Sequence, residues 1–174
     1  LCDAPFLKLF DTEVLAGTSV AQVIVANGIA SSAHQIAAGE FLEGLPAELE
    51  CADTSADDMV FWMYSSGSTG RPKGVVHVHH DMFYTEQSYA RHILKLSASD
   101  TVFSIPKMFF AYGFGNSITF PFSAGATTVL LAGQPNPSAV LDTIETYKPS
   151  VVSGLPTLYT ALARAEGVES RDLS

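Results

Sequence analysis

Cysteine is scarce in this chain: among 174 residues there are two, Cys2 and Cys51. Two isolated cysteines make no disulfide framework, so a reducing, cytoplasmic location is expected. No run approaches the roughly 18 consecutive apolar residues of a membrane span. The start lacks the basic and apolar segments of a signal peptide. No membrane partner is therefore expected. Basic residues are also few. Nine Lys and Arg against 18 Asp and Glu leave a net charge of −9. They are scattered and form no patch, which argues against a nucleic-acid partner but leaves room for a local nucleotide site. Internal repeats and low-complexity tracts are missing too. What is present, 47% hydrophobic and 16% charged residues, suits a globular domain with a real core. The chain opens Leu1-Cys2-Asp3 without Met and stops at Arg171-Asp172-Leu173-Ser174, which reads as a piece of a longer protein.

The most informative stretch runs from Tyr64 to Gly74, YSSGSTGRPKG. Glycines at 67, 70 and 74 alternate with the hydroxyls of Ser65, Ser66, Ser68 and Thr69, and the run closes on Arg71, Pro72 and Lys73. Glycine lets a backbone take positive φ and come close to a ligand. Consecutive N–H groups then form a concavity for an anion, and Lys73 adds a compact positive charge. This is equipment for a polyphosphate. A solvated Gly/Ser loop has a similar composition, but apolar, β-prone runs flank this one: Met59 to Met63 before it and Val75 to Val78 after it. Such a loop is held at both ends, as binding loops are. It is not a Walker A loop, because Arg71 and Pro72 separate Gly70 from Lys73 and Gly74 follows the lysine.

Residues 1–57 are weakly patterned and are expected to form an N-terminal segment of the same domain. Val20 to Ala26 predicts a strand ended by Asn27-Gly28. Ile36 to Leu45 predicts a helix burying Phe41, Leu42 and Leu45. From 58 to 174 the pattern sharpens. The two runs around the loop predict an antiparallel hairpin with an enlarged tip. Asp81 is placed to cap a helix reaching Leu96, with Met82, Tyr89, Ile93 and Leu96 on one face. Thr101–Ile105, Thr127–Leu131 and Ser150–Ser153 read as strands. Between the last two, a helix capped by Ser138 and stopped at Lys148-Pro149 presents Val140, Leu141, Ile144 and Tyr147. Pro156 opens a final helix, with Leu158, Leu162 and Ala165 on one face and Gly167 at its end. The expected fold class is α/β, a largely parallel sheet with helices on both faces.

A second chemical stretch, PKMFFAYGFGNS from Pro106 to Ser117, leaves the end of a predicted strand, where open α/β sheets bind ligands. Aromatic walls beside Ala111, Gly113 and Gly115 suit a flat apolar group; an ordinary aromatic core segment is the competing reading. His77, His79 and His80 invite a metal, but no cysteine or further ligand-type residue accompanies them, so no metal site is assigned. The serines lack the G-x-S-x-G spacing of a nucleophile elbow, and no catalytic residue is assigned.

YSSGSTGRPKGVVHVHH resembles the phosphate-binding signature of the adenylate-forming superfamily. With FWM before it and PKMFFAYGFGNSITFPFSAGATT after it, the chain resembles the benzoate–CoA and related aryl-CoA ligases. The resemblance is strong from about Asp57 onward. It implies part of the large N-terminal domain of an adenylate-forming enzyme, with ATP, Mg²⁺ and CoA as co-substrates and an aryl carboxylate as small-molecule partner. It implies that Ser65, Ser66, Gly67, Ser68, Thr69, Gly70 and Lys73 hold the β- and γ-phosphates. It implies that Phe110, Ala111 and Tyr112 line the acid pocket and that Gly154-Leu155-Pro156 packs near it. The later acidic motif, the ribose-binding aspartate and the lysine-bearing C-terminal domain are not in this sequence. The fragment alone is therefore expected to be inactive, to need the rest of its parent chain, and, with strand edges and apolar surface exposed, to self-associate or be partly disordered. Two alternatives stand beside this reading: an adenylation segment for another carboxylic acid, and a non-catalytic anion-binding α/β module.

Overall fold

Short β-branched runs become strands, and each sheet is small. In a computed structural model that describes residues 1–66 and 70–174, the chain divides into two units, Leu1–Ala52 and Asp53–Ser174. Gly67, Ser68 and Thr69 lie outside the described residues.

The first unit holds strand β1 (Cys2–Asp3), a one-turn helix α1 (Thr12–Leu15), β2 (Val23–Ala26), β3 (Gln35–Ala37) and α2 (Ala38–Leu42). The strands pair in parallel in the order β1-β2-β3. Val23 and Val25 are buried, and a turn follows β2 as expected, with Asn27 in the left-handed region at φ 53°. The helix expected from Ile36 shrinks to five residues, because Ile36 belongs to β3. A helix of little more than one turn offers no two-turn apolar face, so Phe41, Leu42 and Leu45 are exposed rather than buried.

The second unit opens with β4 (Met59–Ser65) and β5 (Lys73–Val78), paired antiparallel as expected. Helix α3 (His79–Thr85) follows and continues as a π-type helix over Glu86–Leu94. It starts two residues before Asp81, whose carboxylate reaches back to the Val78 N–H from the third helical position. Tyr89 and Ile93 of the expected buried face are exposed. Then come β6 (Thr101–Ser104), α4 (Ala111–Phe114), π-type turns over Gly115–Thr119, α5 (Phe120–Ala124), β7 (Thr127–Val129), α6 (Pro137–Tyr147), β8 (Val151–Ser153) and α7 (Pro156–Ala163).

Strands β7-β6-β8 form a wholly parallel sheet with β6 in the middle. Its core is Phe103, Ile105, Val129, Val140, Leu141 and Leu162, with Ile144 and Leu158 packed against it. These residues bring α6 and α7 onto the sheet. Asn136, not Ser138, caps α6: its side chain accepts the Ala139 N–H, and Pro137 takes the first helical position. Tyr147 is exposed. Helix α7 ends at Ala163, and Gly167, at φ 75°, precedes a separate 3-10 turn.

Candidate functional site

The site begins as a face of the hairpin. Residues opposite each other in an antiparallel pair point the same way, and the direction alternates along each strand. The register pairs Phe61 with His77, Met63 with Val75 and Ser65 with Lys73. These six therefore share one face. Trp62, Tyr64, Gly74 and Val76 share the other, where a side chain at Gly74 would meet the Tyr64 ring at 3.4 Å.

At the base of the first face is a cavity of about 140 Å³. The hairpin contributes Phe61, Met63 and His77, and α3 contributes Asp81 and Met82. The opposite wall is Ala111, Phe114, Gly115 and Phe120. The Phe61 ring lies 4.9 Å from the His77 ring and 4.9 Å from Phe114. The wall is thus chiefly apolar, with one polar corner. In that corner His77 Nδ1 is 3.1 Å from Asp81 Oδ2, and the same carboxylate accepts the Val78 N–H at 3.2 Å. The backbone hydrogen bond, and after it the one from His77, hold the Asp81 carboxyl below its ordinary value against a smaller effect of burial. A carboxylate only accepts, so this contact requires a proton on His77 Nδ1.

At the other end of this face stand Ser65 and Lys73. Strand rise puts Lys73 roughly 13 Å from His77 along β5. Gly70 takes φ 78°, which a side chain would strain. Among the described residues neither Lys73 nor Arg71 enters an ion pair, and the hydroxyls of Ser65 and Ser66 have no hydrogen-bond partner. In a chain of net charge −9, two cations and two hydroxyls without partners among the described residues fit a phosphate chain. Among the described residues no cluster of three or more acidic, histidine or cysteine side chains is arranged for a metal.

The aromatic stretch leaves the end of β6 as expected. Of its three candidate residues only Ala111 reaches the cavity wall. Phe110 packs against Phe109 with tilted rings 4.5 Å apart and is exposed, as is Tyr112. Their backbone is firmly placed. The Lys107 ammonium donates to the carbonyls of Leu131, Ala132 and Gly133, and the Lys107 carbonyl accepts the Phe110 N–H at 3.0 Å. Asn116 donates to the Tyr112 carbonyl at 2.9 Å and accepts the buried Ser153 hydroxyl at 3.2 Å, tying α4 to β8. Near Tyr112, burial first and then that neighbouring phenol push the Tyr159 phenol above its ordinary 10.0. Gly154 lies against the Tyr159 ring, where a side chain would come within 3.0 Å, and Leu155 is exposed. Sequence reasoning missed Phe61, Met63 and Phe120 as cavity residues. The alternation of Phe61, Met63 and Ser65 was the available signal for the first two.

The parallel sheets and the β4–β5 hairpin make an α/β chain, and solved structures place it within the N-terminal part of adenylate-forming enzymes. An anthranilate CoA ligase, AuaEII, crystallised with anthranoyl-AMP, superposes with a TM-score of 0.91 at 32% identity over 99% of this chain and 33% of that one. A benzoate CoA ligase from Burkholderia xenovorans LB400 gives 0.79 at 32% identity over 96% of this chain and 32% of that one. The sequence profile of the AMP-binding enzyme family matches residues 8–174, and the chain belongs to that family. It is 50% identical over 115 residues, 66% of its length, to the benzoate–CoA ligase of Thauera aromatica. That match covers 22% of the Thauera protein, so the chain spans a fifth to a third of the length of these relatives.

Proposed function

We propose that this chain is the segment of an ATP-dependent aryl-CoA ligase that holds the phosphates of ATP beside part of the slot for benzoate or a similar aryl acid. In the reaction the acid's carboxylate attacks the α-phosphate of MgATP, giving an acyl-adenylate and pyrophosphate. The CoA thiol then takes the acyl group and AMP leaves. Ser65, Ser66, Gly70 and Lys73 supply fixed donors and charge to the departing pyrophosphate. Gly67, Ser68 and Thr69 complete the loop in this proposal, with Thr69 beside the phosphate that carries Mg²⁺. Ala111, flanked by Phe110 and Tyr112, opens the acid slot.

One observation carries this reading: a single face of the β4–β5 hairpin bears Lys73 at its tip and a ring-sized apolar cavity at its base. The relatives named for benzoate and anthranilate support the class of acid. The test is Lys73→Ala in a full-length ligase carrying this segment, read by ATP–pyrophosphate exchange. Exchange should fall about 100-fold or more, the scale of losing a transition-state donor, while the protein stays folded. Unchanged exchange would refute the role of Lys73, and the absence of any exchange in the unsubstituted ligase would favour a non-catalytic module.

A further inference from the structure

The cavity at the base of the hairpin has a size and a polarity that go beyond a generic apolar slot. Its volume of about 140 Å³ compares with the roughly 150 Å³ cavity that admits benzene, so it has room for one six-membered ring. The walls that meet the ring are Phe61, Met63, Met82, Phe114 and Phe120. The polar corner is organised. Asp81 fixes the His77 proton on Nδ1 and is itself anchored by the Val78 N–H; its other oxygen faces His80 Nε2 at 3.4 Å. His80 in turn is 3.1 Å from Asp57. The two threonines on the wall, Thr85 and Thr119, direct their hydroxyl protons to helix carbonyls. Among the described residues nothing hydrogen-bonds His77 Nε2. In its neutral form the partly exposed imidazole therefore offers an oriented lone pair at the edge of the apolar cavity.

We infer that this corner selects the ring substituent of the acid: His77 Nε2 accepts a hydrogen bond from a hydroxyl or amino group on the aryl ring, with the carboxylate directed toward the hairpin tip. The inference rests on the acid-slot reading above and narrows it to hydroxy- or amino-substituted benzoates over benzoate itself. The hydrogen bond that a substituted ring gains at His77 Nε2, and an unsubstituted ring cannot make, is the difference that produces the selection.

The test titrates a full-length ligase carrying this segment with benzoate, 3-hydroxybenzoate, 4-hydroxybenzoate and 4-aminobenzoate by calorimetry, and follows the His77 ring resonances by NMR. At least one substituted acid should bind about 5- to 10-fold more tightly than benzoate, the yield of one added hydrogen bond. The same acid should shift the His77 ring signals where benzoate does not. His77→Phe should bring the ratio of affinities to about 1. Equal affinity for all four acids with unmoved His77 signals overturns the inference and leaves the acid slot standing. No binding of any of them overturns both. The NMR readout uses the unsubstituted ligase, so it decides the matter even where His77→Phe fails to fold.

Discussion

Gly113 shows how a single residue holds the aromatic stretch in place. A methyl group there would lie 2.0 Å from the Lys107 carbonyl oxygen and 2.5 Å from its carbon. Both are backbone atoms, and the same carbonyl accepts the Phe110 N–H while the lysine's ammonium is fixed by three carbonyls of the loop after β7. Nothing nearby can give way cheaply. Gly113→Ala should therefore cost about 1–3 kcal/mol, the scale of overpacking a tight site, seen as a lower urea midpoint. An unchanged midpoint would show that the segment is looser than it looks. The glycines of this stretch were legible in the sequence as small residues among aromatics. Which of them packs against backbone and which faces a cavity was not. That depends on Lys107 and Phe120, which the helix brings in from either side.

At the scale of elements, α6 is held at both ends. Asn136 accepts the Ala139 N–H at 2.9 Å; Asn136→Ala should cost about 1 kcal/mol, measured by the same denaturation. At the other end Lys148 is 2.5 Å from the Asp172 carboxylate, and Arg171 reaches Asp142 and Glu145. Hydrogen bonds, first from Lys148 and then from Ser174, lower the Asp172 carboxyl from its ordinary 3.8 to about 2. A lowered carboxylate stabilises the fold fully above its ordinary value and loses that contribution as it protonates. Thermal stability should thus fall between pH 3.8 and about 2, and Asp172→Asn should flatten part of that slope. The effect is modest because the pair is exposed.

The strands and the proline-started helices were readable because β-branched runs and Pro137 and Pro156 are local signals. The cap moved from Ser138 to Asn136 because a proline at the first helical position places the cap just before itself. The buried face expected from Phe41 to Leu45 failed because β3 takes Ile36 and leaves a helix too short to have one. The hairpin register needed only alternation. The cavity needed α3 and the α4–α5 segment folded over that hairpin, which no local pattern records.

For the molecule as a whole, fold and family are plain and the span is partial. Among the described residues no helix is long and apolar enough to cross a membrane. The chain covers about a third of the ligase structures it superposes on, so its contribution to a complete active site has to be tested as geometry. The central claim is geometric: phosphate at the tip and aryl ring at the base of one hairpin face. Paramagnetic relaxation tests it directly. A full-length ligase carrying this segment is loaded with manganese tripolyphosphate and 4-fluorobenzoate, and the fluorine relaxation gives the distance between them. The account predicts a separation of roughly 13 Å, set by four residues of β5, whereas a fluorine unaffected by the bound metal, or one placed beyond about 20 Å, would contradict it.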